Sequence, residues 1–152
     1  MVINTSSLLS DCILAMRDFL VTNISDPLST ARPTGERFVM TSYPRRIVSY
    51  PIITVLGSVL GDKQLGQQSE IRRVDIELQV RIWARNEKEK NTIYDEVYND
   101  VKANQFPFST TGTWDNLGLQ DFSLKSAVDL DEEGEEGCKS KIIKYGLFFI
   151  TT

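Results

Sequence analysis

Val74-Asp75-Ile76-Glu77-Leu78-Gln79-Val80-Arg81-Ile82-Trp83-Ala84 alternates apolar and mostly polar side chains without a break. Successive side chains of a strand point to opposite faces, so this run reads as a strand with one face in a core. Ile71 extends the apolar set, and Arg73 joins Asp75, Glu77, Gln79, Arg81 and Trp83 on the polar face. Immediately upstream, Asp62 to Ser69 is polar and rich in Gln and Gly, which suits the tip of a long hairpin. Before that tip, Ile47, Val48, Ile52, Ile53, Thr54 and Val55 favour a first strand running from Ile47 to Leu60, with Gly57 and Gly61 marking a bulge or turn.

Downstream, Asn86 and Glu89 have the spacing of a capping box, in which the Asn oxygen accepts a backbone N–H and the Glu side chain reaches back. A helix is therefore predicted from there, bounded by Pro107, with Ile93, Tyr94, Val97, Tyr98 and Val101 as its apolar stripe. Tyr94 and Tyr98 read as core residues. After turn signals at Gly112 to Asn116, Phe122, Leu124, Val128 and Leu130 predict a third strand, and Lys141 to Thr151 a fourth. The acidic stretch Asp129 to Gly137 joins those two strands.

At the other end, Leu8, Leu9, Cys12, Ile13, Met16, Phe19 and Leu20 recur at helical spacing, and Ser6 or Ser7 is positioned to cap that helix. Ile24 to Arg46 carries Pro27, Pro33, Gly35 and Pro44 among Ser and Thr. It reads as an extended arm or functional loop at about 24–46, with Phe38-Val39-Met40 able to add a short strand. The expected order is α-β-β-α-β-β. It builds a single α+β domain over 1–152, a mainly antiparallel sheet with two helices packed on one face.

The 152 residues are 41% hydrophobic and 25% charged, enough to bury a core without crosslinks. Histidine is absent, which removes Ser–His and Cys–His pairs and imidazole zinc sites, and no catalytic, cofactor-binding or metal residues emerge. The reading is of a protein that is not an enzyme. Gly57 to Lys63 departs from a phosphate loop, because Asp62 separates Gly61 from Lys63 and Gln64 stands where Ser or Thr would hold magnesium. A net charge of −4 argues against a phosphate-backbone binder, and sequence-specific nucleic-acid recognition is not expected. Met1 to Ser10 lacks a basic leader region, and Pro51 to Gly61 is too short to span a bilayer, so no membrane partner is expected. Cys12 and Cys138 read as free thiols.

Protein-interface candidates come from charge and alternation. Arg45, Arg46, Arg72, Arg73, Arg81 and Arg85 would gather into a basic strip if the first two strands pair, facing water, meeting acidic groups of a protein partner, or touching nucleic acid. Trp83 is a large indole on a polar face, suited to a subunit contact or to cover by the long loop. Asp129, Asp131, Glu132, Glu133, Glu135 and Glu136 form an acidic tip with three readings: a solvated turn, a contact with a basic patch on a neighbouring subunit, or half of a calcium loop. The calcium reading lacks its last ligand, because Ser140 stands at the twelfth position.

Taken together, the opening amphipathic helix, the Pro-led strand at Tyr50-Pro51-Ile52-Ile53, the alternating strand ending in Ile82-Trp83-Ala84-Arg85, the charged helix directly after it and the closing strands give an organisation that resembles the tail-completion or tail-terminator proteins of long-tailed bacterial and archaeal viruses. The resemblance covers most of the chain and rests on element order. It implies a structural virion protein, assembled in the host cytoplasm. Such a protein forms a homo-oligomeric ring, commonly a hexamer, that stops growth of the tail tube and offers a surface to the neck or connector protein. The alternatives are another neck or head-completion protein, or an intracellular adaptor domain outside viruses.

Overall fold

Alternation along residues 74–84 has the predicted consequence. The computed structural model of the chain describes residues 3–43, 49–104, 114, 117–130 and 139–151. A single 3-10 turn, Thr5–Ser7, leads into α1 (Leu8–Asn23), and β1 (Val39–Met40), β2 (Ile52–Gln64) and β3 (Arg72–Ala84) follow. The chain then forms α2 (Glu87–Ala103), β4 (Gln120–Leu130) and β5 (Lys139–Thr151). The five strands are ordered β1-β2-β3-β5-β4. All neighbours are antiparallel except β1, which lies parallel to β2.

The fold is α+β, with α1 and α2 packed against the core face of this sheet. Val74, Ile76, Leu78, Val80 and Ile82 of β3 are buried beside Ile53 and Val55 of β2 and Ile143, Tyr145 and Leu147 of β5. α1 adds Leu8, Cys12, Ala15, Met16, Phe19 and Leu20, and α2 adds Ile93, Val97 and Val101, all in one apolar cluster. A close approach sets the position of α1. A Cβ on Gly57 would stand 3.0 Å from Ile13 Cγ1 and 3.2 Å from Leu9 Cδ1, so the bare backbone of β2 makes room for the helix. At the far end of α1, Phe19 meets Trp114 at 4.6 Å between ring centres, and Trp114 stacks on Phe122 at 4.4 Å. Phe122 continues the aromatic contact to Tyr145.

Several boundaries differ from the sequence expectation, each for a local reason. β2 begins at Ile52 and runs to Gln64, past the predicted end at Leu60, because a bulge between Val59 and Gly61 keeps the polar residues 61–64 in register with 72–75. Residues 47 and 48, placed at the start of that strand, lie outside the described residues. Ser7 stands at the N-cap position of α1, but its side chain makes no capping hydrogen bond and donates to Asp11 Oδ2 at 3.1 Å. The Asn4 side chain caps the preceding turn instead, accepting from Ser6 N at 3.0 Å, while Asp11 accepts from Asn4 N at 2.8 Å. In β4, register shifts at Gln120/Ser123 and Leu124/Ser126 break the expected alternation. Ala127 takes the inward position opposite Ile143, and Val128 turns outward, 51% exposed.

Candidate protein interface

The face of the sheet opposite the helices divides into two parts. At one end Trp83 is buried, with Ile52 beneath the chain's own connection to β2. Its ring lies 4.7 Å from Tyr43, and Tyr50 and Met40 pack around the pair. Trp83 Nε1 donates to Thr54 Oγ1 at 3.2 Å, and the Arg81 guanidinium lies 3.7 Å from the indole centre. Of the two roles open to Trp83, cover by the long loop is therefore the one its surroundings show.

That loop is folded back onto the sheet, and Arg32 holds it there. The Arg32 side chain is only 5% exposed. It donates twice to Asp26, from Nε to Oδ2 at 2.7 Å and from Nη2 to Oδ1 at 2.8 Å, and also to the carbonyls of Ser49 and Pro51, each at 2.8 Å. Its guanidinium lies over the Phe38 ring. The Arg32 hydrogen bonds hold the Asp26 carboxyl below the usual carboxylate range. Phe38 O in turn accepts from Ile53 N at 2.7 Å, which fixes β1 at the sheet edge. Nothing in the local sequence marks Arg32, because its partners lie six to nineteen residues away.

The other part of the face is uncovered. Arg73 lies 3.9 Å over the Phe148 ring and pairs with Asp75 at 3.0 Å. Beside them, the Lys125 side chain crosses bare backbone at Gly146, where a Cβ would collide with its Cε. Arg73, Asp75, Asp121, Lys125 and Phe148 with Leu60 line an open recess of about 310 Å³. Arg73 and Trp83, ten residues apart on one strand, are separated by about 33 Å at the usual strand rise, so the candidate residues do not form one site. The expected basic strip is likewise dispersed. Arg72 and Arg73 stand at one end of β3 and pair with Asp62 and Asp75, whereas Arg85 stands beyond the other end and pairs with Glu89. Arg45 and Arg46 lie outside the described residues.

Of the acidic tip, only Asp129 and Leu130 are described; Asp131, Glu132, Glu133, Glu135 and Glu136 lie outside the described residues, as does Cys138. Asp129 is tied inward. It accepts from the Lys90 ammonium at 2.8 Å and lies 3.6 Å from Lys141, which itself sits over the Tyr94 ring. Lys90 is 3% exposed and also reaches Glu87 at 2.8 Å. Burial alone would lower the Lys90 pKa, but the bonds to Asp129 and Glu87 prevail and hold it above the ordinary lysine value. The hydrogen bond from Lys90 holds Asp129 low in turn. This clamp joins the first turn of α2 to the C-terminal end of β4. Tyr94 and Tyr98, read as core, are half-buried and stack on each other at 6.0 Å.

A further feature escaped the sequence reading. Among the described residues, large apolar side chains are exposed at eight positions, and five of them, Leu56, Val59, Leu60, Leu65 and Ile71, belong to the β2–β3 hairpin. β1 pairs only with Ile53 and Thr54, so the rest of the outer edge of β2 is unpaired within the described residues. The signal available in the sequence was apolar residues on both faces of one strand, at Leu56, Val59 and Leu60. Among the described residues no group of three or more His, Cys, Asp or Glu side chains is arranged to hold a metal ion, and no helix is long and apolar enough to cross a membrane. The chain matches no known family model, and no curated protein matches it in sequence.

Proposed function

We propose that this protein is a structural assembly component of a virus tail, one that completes or terminates the tail tube as an oligomeric ring and joins it to the neck. The observation that carries this reading is the concentration of exposed apolar side chains on one hairpin whose edge strand is open. Solvated apolar groups gathered on one element favour burial against a partner, and an open strand edge offers backbone groups for pairing. The absence of histidine and of a phosphate loop in the sequence weighs toward assembly and away from nucleophilic or nucleotide chemistry. The order of elements adds the resemblance to tail-terminator proteins described above. A ring requires heterologous contacts, in which one patch meets a different patch on the next copy.

The test is the mass of the purified protein by light scattering across concentration, alone and with tail tubes from its parent particle. A closed ring, alone or capping the tube end, is the expected result. A monomer that ignores the tube at every concentration overturns the proposal.

A further inference from the structure

We infer that the recess between α1 and β1 receives the acidic segment 131–138 of a second copy, set side by side in the same orientation. This inference rests on the assembly reading above and specifies the two surfaces that meet.

The recess, about 440 Å³, lies between the last turns of α1 and the edge strand β1. Val21, Ile24, Phe38 and Val39 give it an apolar lining, and Val21 is 59% exposed. Arg17 and Arg37 line it together with Asp18 and Asp26. Both acids are already matched, Asp18 by Arg17 and Asp26 by Arg32. Arg37 is exposed and has no ion pair among the described residues. Its neighbour Glu36 accepts from Ser49 N at 3.1 Å. An apolar lining keeps water from one side of a guanidinium and strengthens its pull on a carboxylate. Over residues 17–46, with those two pairs set aside, the chain carries Arg37 and, outside the described residues, Arg45 and Arg46, against Glu36 alone.

The opposite charge is concentrated in one place. Residues 131–138, which join β4 to β5, hold Asp131, Glu132, Glu133, Glu135 and Glu136 and no Lys or Arg. The register fixes where this segment starts and ends. Ile52 lies opposite Trp83, Trp83 opposite Ser140 and Ser140 opposite Leu130, so the segment leaves the sheet at the end where β1 pairs with Ile53 and Thr54. β1 and β4 stand at opposite edges of the sheet.

One chain cannot join its own two surfaces. At about 4.8 Å per strand, β1 is about 19 Å from β4 and about 14 Å from β5, and that round trip of about 33 Å exceeds the roughly 30–32 Å that the chain from Leu130 to Lys139 spans at full extension. A second copy removes the obstacle. Placed beside the first with its β4 edge toward the first copy's β1 edge, it brings 131–138 to the level of the recess. Two like edges set together would oppose Arg37 to its own counterpart, which disfavours a symmetric dimer. Unlike edges leave one of each surface free at the two ends of the pair, so the contact repeats, as a ring requires.

The experiment uses the full chain. Arg37→Glu reverses the recess, Glu132→Lys with Glu133→Lys reverses the segment, and a third variant carries all of these changes; each is checked for native circular dichroism. Sedimentation velocity, alone and with tail tubes, reads association. Each reversal is expected to weaken self-association about tenfold or more, and the combined variant to recover most of it, because its charges are again unlike. The wild-type chain supplies a second measurement, since association should weaken at least about tenfold from about 0.1 M to about 1 M salt, as the screening length falls from about 10 Å to about 3 Å. Undiminished association of both reversals, or of the wild-type chain in salt, overturns this pairing and leaves the ring reading standing. Reversals that weaken association with no recovery in the combined variant also overturn it. Loss of tube binding by the segment reversal, with self-association intact, assigns the segment to the tube and overturns it as well. A wild-type chain that stays monomeric with and without tubes overturns the ring reading, and this inference with it.

Discussion

Replacing Arg32 by alanine removes a buried side chain that ties the long loop to the residues leading into β2. Four charge-assisted hydrogen bonds disappear, two to Asp26 and one each to the carbonyls of Ser49 and Pro51. Deleting one partner of a fully buried ion pair costs about 3–5 kcal/mol. Asp26 is 20% exposed and regains some water, and the two carbonyls are in a loop, so the expected loss is nearer about 2–3 kcal/mol. Arg32→Lys keeps the charge but not the planar fork, and should recover about half of it. Urea unfolding measures this directly, since a lower midpoint at unchanged slope reports stability alone. A second signal follows from the same geometry. Loosening the loop uncovers Trp83 by releasing Tyr43 and Tyr50, so in a Trp114→Phe background the emission of the remaining indole shifts to the red before global unfolding. A destabilisation below about 0.5 kcal/mol, the range of ordinary surface substitutions, with unshifted emission, would refute the assignment of Arg32 as the anchor.

Gly57→Ala is expected to cost about 1–2 kcal/mol in chemical denaturation, because its methyl meets Ile13, Leu78 and Leu9 at 3.0–3.2 Å in a packed core. Acid should destabilise the fold through Asp26, Glu89 and Asp129, which Arg32, Arg85 and Lys90 hold below the ordinary carboxylate range. These groups are protonated more readily in the unfolded chain, so their contribution is complete above about pH 4.5 and is lost as pH falls through the folded values. Urea midpoints that do not drop between about pH 5 and about pH 3 would contradict this. In a Cys138→Ser variant, the remaining thiol at Cys12, fully buried and pushed up to about 12 by desolvation, should react with a thiol reagent at neutral pH only after denaturant is added.

Charge and alternation in the chain were sufficient for the central strand, both helices and the cap of α2. Residues 74–84 alternate because one face of β3 is core, and Asn86 accepts from Glu89 N at 2.9 Å as its spacing requires. One local detail differed: the Glu89 carboxylate reaches one residue beyond the cap, to Arg85, accepting from its backbone N at 3.1 Å and from its guanidinium. Local pattern also carried the hairpin and its bulge. It failed where a one-residue shift in β4 reversed the facing of every residue beyond it, since pairing with β5 sets that phase and β4's own alternation does not.

The candidate interface divides along the same line. From the sequence alone, Trp83, Arg81 and Arg73 could be assigned to one face of one strand, because side-chain direction there follows from the period of the backbone. What covers each of them could not, because cover comes from residues distant in the chain: Tyr43 over Trp83, Phe148 beneath Arg73, and Lys90 holding Asp129 from a different element. Backbone periodicity acts over a few residues, whereas burial and ion pairing depend on which segments the folded chain brings together.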